Sequence, residues 1–236
     1  MAQSAFAAAM DALERTGEAP EGYCRPFLDL LPVSGAAVST LGDLLGSETL
    51  AASDEQAARL DELQFDLGEG PCWDALRTGT HVLAPALQQG RFSSWPAFSA
   101  AIRDDPVASI FAFPLAVGPL RIGAVDLYSS SPTRLDDRHT RQADAIAAVV
   151  SRHVLRRALN TVGHSEEESG NAYSRRLIHQ ATGFVLAQLD LTPEDARLVI
   201  QGHAFAVERS VMEIAQDIVD GRIVFARRSD GIEASG

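Results

Sequence analysis

Apolar residues between Ser174 and Phe225 recur at spacings of three and four in three successive runs, the period of amphipathic helices. Leu177, Ala181, Phe184, Val185 and Leu189 form the first stripe. The second run opens on Thr192-Pro193-Glu194-Asp195. Thr192 suits an N-cap, Pro193 the first helical position, and Asp195 can reach back toward the cap. Its apolar face is Ala196, Val199, Ile200, His203 and Ala204. The third run opens on the capping box Ser210-Val211-Met212-Glu213, buries Val211, Ile214, Ala215 and Ile218, and stops at Asp220-Gly221. Ala181, Gly183, Ala196, Ala204 and Ala215 fall on or near the packing faces, as close helix approach in a small unit requires.

The first 160 residues mix helical and strand periods. Partial helical stripes through Phe6, Met10, Leu13, Phe27, Leu28 and Leu31 end at Pro32. Ala36 to Leu41 and a segment around Leu45 to Ala51 predict a hairpin across Gly42-Asp43. Ser53 is placed to cap a helix over 54–63. In Leu67-Gly68-Glu69-Gly70-Pro71-Cys72-Trp73-Asp74-Ala75-Leu76-Arg77-Thr78-Gly79, two glycines make a permissive loop, Pro71 opens a short helix and Gly79 closes it. A short strand at 81–84 and a helix from Ser94-Trp95-Pro96 follow. Ile110 to Val117 and Ile122 to Tyr128 then read as neighbouring strands, with a bulge or sheet edge expected at Pro114. Thr133-x-x-Asp136 is a capping-box arrangement for a long helix to about Asn160, striped by Ile146, Val149, Val150, Val154, Leu155 and Leu159. Gly163 to Gly170 is a polar break. The expected units are 1–160, a linker at 161–170, a helical unit at 171–225 and a tail at 226–236.

Apolar content of 46% and charged content of 22% are those of a globular protein. The net charge of −12 argues against a surface broadly suited to nucleic acid. Most of that charge sits in the first 170 residues; from 171 onward the balance is −2. All 20 basic residues are arginine, whose planar fork suits phosphates and base edges and which a biased base composition also favours. The two cysteines, Cys24 and Cys72, make no metal cluster and suit free thiols in a reducing cytosol. No signal peptide and no bilayer-length apolar run is evident, so a soluble, cytoplasmic chain without membrane partners is expected.

The three words Gln180-Ala181-Thr182-Gly183-Phe184-Val185-Leu186, Pro193-Glu194-Asp195-Ala196 and Val211 to Val219 resemble the ANTAR family, RNA-binding domains of transcription antiterminators. Thr182 and Met212 stand where that family commonly carries basic residues. The strand and helix order of the first part resembles a GAF domain, a small sensory α+β module. Its Gly-Glu-Gly-Pro-Cys-Trp run looks like the version fused to ANTAR domains. The resemblance implies an antiparallel sheet with flanking helices, joined by a long helix to an all-α three-helix unit. It also implies a dimeric regulator that binds hairpins in nascent RNA and prevents terminator formation.

Arg175, Arg176, His179, Arg197 and Arg209 are the RNA-binding candidates; Arg175, Arg176 and His179 lie within one turn. The aromatics Tyr173, Phe184, Phe205 and Phe225 look mostly core-like. Ile146, Val150, Val154, Leu155 and Leu159 are candidates for a homodimer seam, the alternative being that this helix packs on its own sheet. Cys72, Trp73, Phe111 and Phe113 are candidates for a sensor pocket taking a small-molecule or protein signal. A Cys72–His81 pair lacks an orienting acid, and no nucleophile set, metal-ligand spacing or phosphate loop emerges. No enzyme activity and no cofactor are expected. Cys72 at a helix start suits a buried structural thiol, with oxidant sensing as the alternative. The competing functional reading is a dimerising interaction module with a degenerate RNA surface.

Overall fold

The computed structural model describes residues 2–42, 45–87, 94–161, 176–228 and 231–235. The chain divides into two compact units, Met1–Tyr173 and Ser174–Gly236. The linker expected at 161–170 falls almost wholly outside the described residues, as does the Asp43 of the expected turn.

The first unit opens with helix α1 (Ala2–Thr16), a 3-10 turn at Pro20–Gly22 and α2 (Arg25–Leu30). Strands β1 (Gly35–Thr40) and β2 (Glu48–Ala52) form the expected antiparallel hairpin. Helix α3 (Glu55–Leu67) follows, capped by Asp54 rather than Ser53: the Asp54 carboxylate accepts from Ala57 N at 2.9 Å. Ser53 Oγ instead accepts from Ala36 N, holding the hairpin. Then come α4 (Pro71–Thr78), β3 (Val82–Ala84), α5 (Pro96–Ala101), β4 (Ser109–Val117), β5 (Leu120–Ser129) and α6 (Asp137–Thr161). The long helix begins one turn later than the Thr133 box suggests. Asp136 is the cap, accepting from His139 N at 2.8 Å, while Thr133 bonds to Ser129 and Ser109.

The five strands run β2-β1-β5-β4-β3, with every described pairing antiparallel. Pro114 lies inside β4, not at an edge strand. Short β3 pairs only Ile110 to Ala112, so beyond that point its flank has no described ladder for proline to interrupt. The ladder irregularity falls one residue on, between Leu115 and Ala116. Alternation sends Phe111, Phe113, Leu115, Val125 and Leu127 into one core with α1, α2 and α6. Ile110 and Tyr128 face the other way, toward Leu60, Trp95 and Phe98 of the α3 and α5 side.

The second unit contains α7 (Arg176–Leu189), α8 (Pro193–Ala206) and α9 (Val211–Val219). Both expected caps form. Thr192 Oγ1 accepts from Asp195 N, and Ser210 with Glu213 completes a reciprocal capping box. The buried stripe of α7 is Ile178, Ala181, Val185 and Leu189, rotated from the expected one, so Phe184 is 49% exposed. The segment expected as a tail is not one. Strands β6 (Val224–Arg228) and β7 (Gly231–Ser235) form a hairpin, so the unit is not wholly helical. Phe225 is buried beneath it, with its N–H bonded to Gln188 Oε1 and its ring edge-on to His203.

The small-residue argument fails at one position. Ala181, Ala196, Ala204 and Ala215 are buried, but a Cβ at Gly183 would meet nothing within 4 Å. Gly183→Ala should therefore stabilise the second unit by about 0.5–1 kcal/mol through helix propensity. Urea unfolding followed by circular dichroism checks this; a destabilised variant would show hidden packing there.

Candidate functional site

The Gly68–Gly79 run folds as a clamp. Gly70, at φ 138°, lets the chain pass against Gln64, whose side chain would collide with any Cβ at that position. Gln64 Oε1 accepts from Cys72 N at 2.9 Å, and its carbonyl accepts from Trp73 Nε1 at 2.7 Å, tying α4 to α3. Asp74 accepts from Trp95 Nε1 at 3.0 Å. Glu69 accepts from Phe98 N at 2.7 Å, an acid at the first turn of α5 where the unpaired N–H groups lie. The motif thus fastens α3, α4 and α5 together over one face of the sheet.

Beneath the clamp is a buried polar cluster. Asp126, central in β5, stands opposite Ala37 of β1 on one side and Ala112 of β4 on the other. Asp61 and Gln64, three residues apart on α3, reach the same sheet face. Asp61 accepts from Ser39 Oγ at 2.7 Å and from Thr49 Oγ1, joining β1 and β2 to the helix. Asp61, Gln64 and Asp126 are all buried. Burial pushes the Asp126 carboxyl well above the ordinary carboxylate range; the like charge of Asp61 adds to this and a side-chain hydrogen bond with Gln64 opposes it.

A carboxylate so placed works against the fold at neutral pH. Asp126→Asn should raise stability by about 1–3 kcal/mol there. The folded state binds this proton more tightly than the unfolded state. The contribution of Asp126 is therefore fully present below the unfolded value near 3.8 and is lost as pH rises through the elevated folded value. Urea unfolding between about pH 4 and pH 8 should show wild type falling progressively behind the variant. A gap that does not change with pH would refute this account.

None of these three residues was among the sequence candidates. The available signal was an acid inside the apolar strand Ile122 to Tyr128, and an Asp and a Gln on the buried stripe of α3. The residues that were expected to form a pocket lie on both faces of the sheet. Cys72 belongs to the clamp and Trp73 hydrogen-bonds to α3, while Phe111 and Phe113 lie in the core shared with α6. The Cys72–His81 pair does not form: His81 lies 3.4 Å from Asp144 of α6 and stacks at a tilt on Phe113. Both cysteines are buried, and burial pushes the Cys24 thiol up to about 12. Among the described residues no group of three or more His, Cys, Asp or Glu could hold a metal.

The seam candidates divide similarly. Ile146, Val150 and Val154 are buried in the unit's own core, Leu155 is partly buried against it, and Leu159 is 66% exposed. The stripe therefore serves the sheet first, and Leu159 is the member most open to a second chain.

In the second unit, Arg175 lies outside the described residues, and Arg176 opens α7 with its side chain outside them as well. His179 is exposed on α7, and Arg197 on α8 is half-buried. Arg209 donates to Asp217 at 2.7 Å, and Arg222 bonds to both Asp217 and Asp220. Hydrogen bonds from Arg209 and Arg222 hold Asp217 below the usual carboxylate range. The charge of Arg209 is thus countered locally. Against expectation, Phe184 is exposed and Phe205 is 73% exposed; among the described candidates the core aromatic is Phe225, and Tyr173 lies outside the described residues.

An antiparallel sheet covered by terminal helices on one face, and by short clamped helices over polar groups on the other, defines a small sensory, signalling module. A GAF domain model matches residues 3–154, more than half of the chain, and the chain belongs to the GAF domain family. Its fold is similar to the GAF domain of a phosphoenolpyruvate-protein phosphotransferase from Coxiella burnetii, with TM-score 0.53, 8% identity, and coverage of 68% of this chain and 96% of that one. The corresponding domain from Acinetobacter gives TM-score 0.52 and 9% identity over 70% and 97% of the two chains. The chromophore-binding domain of the R. palustris bacteriophytochrome RpBphP3 gives 0.51 and 9% over 66% and 62%. No curated protein matches the chain. No described helix is long and apolar enough to cross a membrane.

Proposed function

We propose that the chain is a sensory regulator. Its GAF unit receives a small-molecule signal, and its C-terminal unit binds hairpins in nascent RNA as a homodimer and prevents transcription termination. It acts by binding, without catalysis. The supporting observation is the second unit's three helices, capped at Thr192 and Ser210 in register with the three ANTAR-like words. Exposed Phe184 and Phe205 supply aromatic faces on which unpaired bases stack, and His179 and Arg197 supply polar contacts. The signal acts by shifting the population of RNA-competent dimers.

Filter binding of the full chain to hairpin RNA tests this. Phe205→Ala should weaken binding by about 1–3 kcal/mol, the range for one stacked base. Thr182→Lys and Met212→Arg should tighten it by adding phosphate contacts. No binding by wild type or by the charge-added variants would sink the RNA reading.

A second reading, a dimerising protein-interaction and signalling module, is favoured by one feature. Leu198, Phe205 and Val207 are each exposed on or just after α8, while Arg209 and Arg222 are occupied by acids of their own unit. Sedimentation that depends on Phe205, in a chain without RNA affinity, would favour it.

A further inference from the structure

The outward face of α8 carries residues that a helix bound only for solvent has no use for. Ala196, Ile200 and Ala204 are buried, so helical periodicity turns Leu198, Gly202 and Phe205 the opposite way. Leu198 is 57% exposed and Phe205 73%. Gly202 lies between them. Glycine inside a helix costs stability relative to alanine, and nothing in the chain itself demands it here: a Cβ at Gly202 would meet nothing within 4 Å. A missing side chain at this point matters only to something that approaches from outside, because the distance between packed helices is set by the side chains at their contact. Two charges flank the same face. Arg197 makes no ion pair among the described residues, and its Nε, screened from water, has no hydrogen-bond partner. Glu208, just past the helix end at φ 54°, is exposed and makes no ion pair among them either. Arg209 and Arg222, by contrast, are paired with acids of their own unit.

We propose that this face is an interface with a second copy of the chain, in which two α8 helices pack antiparallel and cross at Gly202. The pattern is self-complementary about that point, as a twofold contact requires. Leu198 lies on one side of Gly202 and Phe205 on the other, so each copy sets its Leu198 against Phe205 of the other copy, with the glycines giving room for the crossing. Arg197 and Glu208 lie further out on the two sides, and the same arrangement brings each Arg197 to Glu208 of the other copy. Glu194 and Asp195, exposed in the first turn, come toward Arg209 of the other copy. A partner of one sign satisfies only one of the two unpaired charges; a second copy satisfies both. The inference rests on the reading of the chain as a self-associating regulator and names the surface that does it. While Phe205 lies in this seam it cannot hold a base, so the pairing belongs to the RNA-free chain.

The test is sedimentation equilibrium of the full chain without RNA, as wild type and with Leu159→Asp, which takes the exposed end of α6 out of contention. Self-association should persist in the Leu159→Asp chain. Adding Gly202→Gln to it should weaken association about tenfold or more, because a long side chain then stands at the crossing. Glutamine is a better helix former than glycine, so a lone copy is stabilised and the loss cannot be laid to misfolding. Arg197→Glu and Glu208→Arg should each weaken association about fivefold, since twofold symmetry counts every pair twice, and the two together should restore it. Association unchanged by Gly202→Gln overturns the proposal, and so does a double charge reversal no better than either single one. A wild type that associates and a Leu159→Asp chain that is monomeric overturn this surface and leave the self-associating reading standing. A monomeric wild type overturns both.

Discussion

Val150→Asp abolishes the cooperative unfolding transition of the GAF unit, whereas Leu159→Asp leaves it in place. Val150 is 0% exposed and packs in the core that holds Phe111, Phe113 and Ile146. The substitution forfeits about 2 kcal/mol of apolar burial and inserts a carboxylate with no partner, a further cost of several kcal/mol. A combined loss of about 4 kcal/mol or more approaches the whole stability of a domain. Leu159 is 66% exposed, so an acid there costs the monomer about 0.5 kcal/mol or less. Both tryptophans, Trp73 and Trp95, lie in the first unit, so their fluorescence follows that unit alone. The pair also decides what the long helix does for assembly. A chain that becomes monomeric on Leu159→Asp with its transition intact uses the exposed end of α6 as a seam. A folded Val150→Asp protein would show that this face is covered by another chain and that the packing described here is wrong.

The contrast between these leucine and valine positions shows where sequence reading stops. An apolar stripe on a helix states that one face is covered and is silent about what covers it. Ile146, Val150 and Val154 carry the same pattern whether they meet a sheet or a second helix. Local chemistry was more informative. The Ser210–Glu213 box, the Thr192 cap and the Pro71-to-Gly79 helix form as their residues require, because each depends on neighbours within a few positions. The C-terminal hairpin was only half signalled: Ile223-Val224-Phe225 suits a strand, but Gly231-Ile232-Glu233-Ala234-Ser235 carries a single strong strand former.

The polar cluster is harder to read for a different reason. Asp61 and Asp126 are distant in sequence and meet only through the register of β1 against β5 and the seating of α3. The division of the pocket candidates between the two sheet faces has the same origin. Cys72 and Phe111 are both buried, but strand alternation decides which face Phe111 joins, and a shift of one residue reverses it. Phe184 shows the helical equivalent: adjacent to buried Val185, it lies beyond the edge of the stripe. What could be read from sequence was the acid itself. A carboxylate within a buried strand is costly, so Asp126 in Val125-Asp126-Leu127 was a visible mark of the cluster.

Gly123→Ala is expected to unseat that cluster. Gly123 lies in β5, paired with Thr40 on one side and Leu115 on the other. A Cβ there would fall on the Ser39 carbonyl oxygen and within 2.9 Å of the Thr40 Cα, and neither backbone atom can swing aside as a side-chain tip would. The strands must part, against the β1–β5 ladder and the Leu41 N to Ile122 O bond of 3.1 Å beside it. Overpacking of this kind, with hydrogen bonds also lost, should cost about 3 kcal/mol or more. Gly118→Ala is the comparison. Its Cβ meets nothing within 4 Å, and the penalty is only that of a left-handed φ of 59°, about 1–2 kcal/mol. Fluorescence-detected unfolding should therefore place Gly123→Ala well below Gly118→Ala, and equal midpoints would remove the close approach from the account. The displacement reaches the polar cluster as well. Ser39 follows Gly123 outward and leaves Asp61 at the sheet face with one hydroxyl donor fewer.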